Sequence, residues 1–297
     1  MARGLAQLRT LLVAVDGETV LAEAFRGPAL DRAVNVKSVS KTLVATLTGA
    51  AIEKGALPGV DAPVLPYLQR RAPSGLDPRA GRITVAHLLT MTSGLEPTSG
   101  ARYGAWVQSR DWVGYALSRP MLGEPGRTRG YSTGDYHLLG AVLAEATGQS
   151  LHALARAWIG RPLGFDVPPW TRDPQGLFMG GNEMALSPRA MIAFGEAMRR
   201  GGGPVVGGAW LREAWTPKTR SPFSGHSYGY GWFIADLGGT RVHYARGYGG
   251  QMIYVAPSAG VSVAITSDPS LPARSGGHAG DLNRLVAERI IPAARRG

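Results

Sequence analysis

Ser38 and Lys41 stand three residues apart in the stretch VKSVSKTLVATLTGAAIEKG, residues 36–55. On a helix that spacing puts both side chains on one face, so the hydroxyl and the amine can meet. A serine in the first helical turn also sits at the positive end of the helix dipole, beside backbone N–H groups that have no helical partner. Such N–H groups suit an oxyanion. The chemistry on offer is nucleophilic attack by the serine oxygen, with the lysine amine taking its proton. The competing reading is an N-cap serine and a solvated lysine. Spacing alone does not choose, since about a quarter of shuffled chains of this composition would contain an S-x-x-K. Composition adds a hint. Of the 32 basic residues only Lys37, Lys41, Lys54 and Lys218 are lysine. Arginine stays protonated, whereas burial or a nearby cation can bring a lysine amine into working range.

Two further elements lie downstream. RGYSTGDYHLLG (129–140) places Tyr131 just ahead of a helix, and RGYGGQMIYVAP (246–257) places Gly249 and Gly250 at the opening of a late strand. Taken singly, Tyr131 reads as a packed aromatic with its hydroxyl on the backbone, and the glycine pair as a bulge or tight strand entry. Taken together with Ser38 and Lys41, the three elements resemble the penicillin-recognising serine hydrolases. That family comprises β-lactamases, DD-peptidases and the related esterases and 6-aminohexanoate-dimer hydrolases. It combines S-x-x-K on a helix, a Tyr-x-Asn-like element, and a Lys/His/Trp-Thr/Gly-Gly element on a strand. ITVAHLLTMTSGLE (83–96) looks like the family's segment ahead of the tyrosine. The resemblance runs from about residue 11 to residue 290.

The resemblance implies a β-lactamase/transpeptidase-like fold and a serine hydrolase cleaving esters or small amides through an acyl-enzyme on Ser38. Lys41 and Tyr131 would complete the catalytic set, and the N–H groups of Ser38 and Gln251 would form the oxyanion hole. Thr133, Tyr248, Gly249, Gly250 and Trp170 would contact substrate, with residues 173–184 as a loop along the cleft. No cofactor is implied. Two departures matter: Thr133 stands where the family has asparagine, and Tyr248 where it has Lys, His or Trp. Both argue against efficient β-lactam turnover and towards a neutral ester or amide. Arg246, two residues earlier on the strand, is a candidate replacement charge. The alternatives are an acyltransferase on the same fold, a β-lactamase or D-aminopeptidase, and a non-catalytic binding protein that retains the cleft.

These residues need elements to hold them. LLVAVDGETVLAEAFRG (11–27) reads as two strands around an Asp16-Gly17 turn. Ser38 to Glu53 reads as a helix ended by Gly55. Helical patterns follow at 85–91, 105–117, 135–148, 151–160 and 188–200, and GGGPVVGG (201–208) reads as a flexible joint. After it, YGYGWFIADLGG, TRVHYARGYGG, QMIYVAPSAG and VSVAITSD read as successive antiparallel strands. DLNRLVAERIIPAARR closes the chain as an amphipathic helix. The expectation is an α/β (α+β) fold in which an antiparallel sheet is flanked by N- and C-terminal helices. Residues 1–57 and 205–297 would form that sheet domain, and 58–204 an all-helical insertion.

Other function classes fit less well. A net charge of +11 invites nucleic acid, but the basic residues never exceed doublets such as Arg70-Arg71, and a phosphate footprint needs clustering. The six histidines show no H-E-x-x-H spacing and there is no cysteine, so no metal site is expected. His87 and His137 lie in apolar helical runs and read as core or supporting groups. Gly225-His226-Ser227-Tyr228-Gly229 matches the G-x-S-x-G nucleophile elbow, but that elbow needs a following helix and here a strand follows. Asp236 and His243 are poor partners for it. No apolar run is long enough to span a bilayer. LLVAV is too short for a signal peptide, so a cytoplasmic location is expected, or a secreted or periplasmic one had a leader been trimmed. The implied partner is a small-molecule ester or amide; oligomeric state is not legible.

Overall fold

A computed structural model describes residues 2–270 and 277–296. Asp16 and Gly17 both take positive φ, 47° and 100°, the hand that lets a two-residue turn continue the twist of its strands. The turn joins β1 (Leu8–Val15) to β2 (Glu18–Ala24). A short ribbon pairs β3 (Val34–Asn35) with the distant β4 (Ala185–Leu186). The remaining strands are β5 (Thr219–Arg220), β6 (Ser227–Tyr228), β7 (Phe233–Asp236), β8 (Arg241–Gly247), β9 (Gln251–Ala256) and β10 (Val261–Ser267). With β1 and β2 they make one eight-stranded sheet, ordered β2-β1-β10-β9-β8-β7-β6-β5, every neighbour antiparallel.

Strands β9 and β10 are buried along their whole length. Successive side chains point to opposite faces, and both faces are covered. Ile253 meets the helix Pro188–Arg199, where a Cβ on Gly195 would come within 3.1 Å of its Cγ2. Tyr254 meets the C-terminal helix, its hydroxyl donating to Asn283 Oδ1 at 2.8 Å. Coverage on both sides explains why these strands read as unbroken apolar runs. The helix Val39–Glu53 packs on β8, β9 and the helix Thr133–Thr147, and so lies between the sheet and the helical part. Thirteen of its residues are buried, as its all-round apolar composition requires.

Three details differ from the sequence expectation. The helix Pro188–Arg199 falls within the stretch expected as insertion, yet it packs on β1, β9 and β10, because Met191, Phe194 and Met198 need an apolar surface to cover. The stretch 201–208 is a packed turn: Val205 and Val206 are buried, and the Gly207 N–H donates to Glu53 at 2.8 Å. The pattern at 105–117 is two helices, Tyr103–Val107 and Trp112–Leu117, separated where Asp111 caps the second by accepting from the Gly114 N–H. No described helix is long and apolar enough to cross a membrane.

Candidate active site

The chain leaves β3 through Lys37, which holds φ at 54°, a left-handed conformation that a residue with a Cβ adopts only under constraint. The constraint is visible. The Lys37 N–H donates to Asn35 Oδ1 at 2.8 Å, Asn35 Nδ2 donates to Glu183 at 2.6 Å, and Lys37 Nζ lies 3.4 Å from Glu183 Oε1. This sharp turn delivers Ser38 to the N-cap of the helix Val39–Glu53, where its hydroxyl caps nothing and lines a cavity instead. One turn on, Lys41 is buried, with 2% of its surface exposed. Its Nζ donates to Ser38 Oγ at 3.3 Å, to Thr133 Oγ1 at 3.2 Å and to the Gly181 carbonyl at 2.7 Å. Burial pushes the amine below its ordinary value; Tyr131 and Asp135 oppose the shift and Arg129 adds to it.

Ser132 caps the helix Thr133–Thr147, and Tyr131 therefore enters the site from just ahead of that helix. Lys41 Nζ lies 4.8 Å from the centre of the Tyr131 ring. Burial opposes ionisation of this phenol, but the Lys41 charge, the proximity of Ser38 and Lys41, and the Arg129 charge outweigh it and hold the group below the ordinary tyrosine range. Thr133 lines the cavity and bonds both Lys41 and the Ser99 hydroxyl, at 3.2 and 3.0 Å. Two charged groups that sequence reasoning passed over stand here. Asp135 is buried in the first turn of the helix, and burial pushes its carboxyl up to about 7. Arg129 lies over the ring of Tyr131, 5.9 Å from its centre.

Gly180 and Gly181 press directly on the helix Thr133–Thr147: a Cβ on Gly180 would fall 2.0 Å from the Tyr136 carbonyl oxygen. That approach lets the Gly181 carbonyl reach Lys41. It is braced by His137, whose Nδ1 accepts from the Gly180 N–H at 3.4 Å and whose Nε2 lies 3.2 Å from Asp173 Oδ2. His137 is thus a buried supporting group. Of the segment 173–184, Asn182 and Glu183 line the cavity. Trp170 does not, which corrects the expectation for it. Its indole N–H donates to the Met179 carbonyl at 2.8 Å and its rings pack on His152 and Phe178, so it braces the loop from behind.

A second correction concerns Gln251. Residues 248–250 form the turn between β8 and β9, and Gly247 pairs with Gln251 across it. The turn carries Gln251 onto the next strand, out of the cavity. Its carboxamide clamps the Ser267 backbone there, Nε2 donating to the carbonyl at 2.7 Å and Oε1 accepting from the N–H at 3.3 Å. Tyr248, Gly249 and Gly250 line the cavity with Ser38. Gly247 lies against the turn that carries Ser38, where a Cβ would be 2.3 Å from the Val36 carbonyl oxygen. Among the described residues, no protein acceptor takes the N–H of Ser38 or of Tyr248. The turn is held from behind: the Ser267 hydroxyl donates to the Gly250 carbonyl at 3.0 Å and is itself 2.9 Å from His278 Nε2.

The cavity measures about 570 Å³, and the exposed rings of Phe223 and Tyr248 stand at its rim. Ser227, of the G-x-S-x-G match, lies within β6, which pairs with β5 and β7, and the segment after it is strand β7 and not a helix. His243 stacks on Trp215 with ring centres 4.0 Å apart, and burial pushes it down to about 4. Among the described residues no group of three or more His, Asp or Glu side chains could hold a metal ion.

The match to the Beta-lactamase family extends over residues 2–288. The chain belongs to that family. A relative, Esterase EstB of Burkholderia gladioli, is 33% identical over 156 residues, which cover 48% of this chain and 39% of that protein. The alignment therefore spans well under half of the relative. Among solved structures, the octameric penicillin-binding protein homologue of Pyrococcus abyssi superposes with a TM-score of 0.76 at 20% identity, over 98% of this chain and 74% of that one. The D-stereospecific amidohydrolase of a Streptomyces species gives 0.74 at 19% identity, over 97% and 96%. EstCE1, a hydrolase with promiscuous acyltransferase activity, gives 0.76 at 20% identity, over 97% and 93%. These likenesses establish the β-lactamase/transpeptidase fold for this Beta-lactamase-family chain.

Proposed function

We propose that the chain is a serine hydrolase that cleaves esters or small amides through an acyl-enzyme on Ser38. The observation that carries this reading is the buried Lys41 amine, 3.3 Å from Ser38 Oγ and displaced below its ordinary pKa range. Ser38 Oγ attacks the substrate carbonyl carbon while the Lys41–Tyr131 pair, one proton short of full protonation, takes the hydroxyl proton. The carbonyl oxygen becomes an oxyanion and rests on the N–H groups of Ser38 and Tyr248. Tyr131 passes the proton to the leaving alcohol or amine as the carbonyl–leaving-group bond breaks. In the second half water attacks the acyl-enzyme, gives its proton to the same pair, and Ser38 recovers its proton as the acid departs. Thr133, a hydroxyl in place of an amide, favours a plain ester or amide over a β-lactam.

The exposed rings of Phe223 and Tyr248 favour a second reading, acyl transfer, because they offer an alcohol an apolar surface beside the acyl-enzyme. The structural likeness to EstCE1 supports the same reading. The test is turnover of p-nitrophenyl esters, small amides and a chromogenic cephalosporin, with and without added alcohol. Esters should be cleaved and the cephalosporin spared, and a new ester product would add transfer to hydrolysis. Ser38→Ala should lower turnover by about a thousandfold or more with an unchanged fold. Near-native turnover in that variant would end the proposal.

A further inference from the structure

Arg129 occupies a costly position that the mechanism above leaves unexplained. Its Nε, Nη1 and Nη2 are all buried and none has a hydrogen-bond partner among the described residues. A buried charge without a partner is destabilising, and buried polar groups without partners are rare enough to need a reason. The guanidinium lies on the face of Tyr228, 4.5 Å from the ring centre, and 5.9 Å from the ring centre of Tyr131. Arginine suits such a place, because it is weakly hydrated, stacks on aromatic faces and cannot shed its proton.

The groups around Tyr131 can be enumerated by element. The helix Val39–Glu53 contributes Lys41, with Ser38 at its N-cap. The helix Thr133–Thr147 contributes Asp135, which acts through Lys41, and Tyr136, a phenol held neutral by burial. Strand β6 contributes Tyr228, likewise neutral, and Phe223 meets the Tyr131 ring edge-on at 6.5 Å. Among the described residues Lys41 and Arg129 are the cations that lie over the ring of this phenol, and Asp135, the carboxyl that acts on Lys41, is itself pushed up to about 7.

We propose that Arg129 is a charge-setting residue that acts through Tyr131: its fixed, unpaired cation keeps the Lys41–Tyr131 pair one proton short at neutral pH, so that the pair can accept the Ser38 proton. This rests on the role given to Tyr131 above. An opposite charge about 4–6 Å away shifts an ionisation by roughly one to three pH units. Removing the Arg129 charge should therefore move the acid limb of the kcat/KM profile to higher pH by about one unit, with activity recovering above the new limb. Arg129→Lys should keep the limb near its native position.

The experiment compares the native chain, Arg129→Met and Arg129→Lys in kcat/KM against pH, alongside labelling of Ser38 by a fluorophosphonate. If Arg129→Met does not fold, Arg129→Gln serves as the neutral variant. A near-ultraviolet titration of the native chain against Tyr131→Phe adds a direct reading of the phenol. The expected result is a limb displaced upward in the neutral variant, retained in Arg129→Lys, and a Tyr131 that ionises ahead of an ordinary tyrosine. An unmoved limb in a folded, labelled neutral variant overturns the inference and leaves the Ser38 reading standing. Failure of the native chain to label on Ser38 defeats that reading, and the inference with it.

Discussion

On the floor of the cavity Lys41 is hidden from solvent with its Nζ within hydrogen-bond reach of Ser38, Thr133 and Gly181, while at the rim Tyr248 is 56% exposed and Phe223 79% exposed. The floor is drawn from four distant parts of the chain: the Val39–Glu53 helix, the segment ahead of Thr133, the Gly180–Gly181 approach and the 248–250 turn. Each is fixed by a backbone contact too close to tolerate a side chain or by a buried hydrogen bond. The rim has few such ties. The contrast teaches where each property resides. Proton transfer is served by a dry, fixed amine, because burial moves an amine into range and fixed geometry keeps it on the hydroxyl. Substrate choice can be left to side chains that solvent reaches.

Substitutions can break or sharpen that contrast. The largest effect belongs to the floor. Lys41→Arg keeps the charge but loses the ability to release a proton, and kcat should fall by about a thousandfold; retention of even a tenth of the activity in a folded variant would show that Lys41 does not serve as a base. Next comes the turn that presents the Tyr248 N–H. Gly249 holds φ at 76°, and a Cβ there would lie 2.6 Å from Pro269 Cα, so Gly249→Ala must displace the turn. A displacement of about 1 Å can cost on the order of a hundredfold, read here in kcat more than in KM.

Asp135 sharpens the comparison through stability. Its carboxyl rises from an ordinary 3.8 to about 7 on folding, so the folded chain holds that proton more tightly than the unfolded one. The resulting stabilisation is complete below pH 3.8 and is lost as the pH climbs to about 7. Asp135→Asn removes this titration, and its melting temperature should vary less across that window than the native chain's. Superimposable curves would show an ordinary carboxyl. The smallest effect is expected at the rim. Tyr248→Ala keeps the backbone N–H and removes an exposed ring, so KM should change by about severalfold and kcat hardly at all. A collapse of kcat would move Tyr248's ring into the chemistry.

Much of the floor was legible in the sequence, because its parts are local. Ser38 and Lys41 share a helix face by spacing alone, and Tyr131 and Thr133 sit at a recognisable helix start. The antiparallel strands and the Asp16-Gly17 hairpin follow from alternation and turn chemistry. What was not legible depends on registry and burial. Gln251 and Tyr248 are three residues apart, and only the length of the turn decides which one stays beside Ser38. Trp170 looked like a cleft residue until the packing of His152 and Phe178 around it was known. No sequence pattern singles out Asp135, and Arg129 is one of many scattered arginines. Their burial arises from long-range packing, to which no local pattern points.

The most direct measurement is mass spectrometry of the native chain after reaction with a fluorophosphonate, followed by peptide mapping. A single adduct on the peptide carrying Ser38, lost in Lys41→Arg, is the predicted result. An adduct on Ser227, or no adduct on a chain that still turns over an ester, would contradict it.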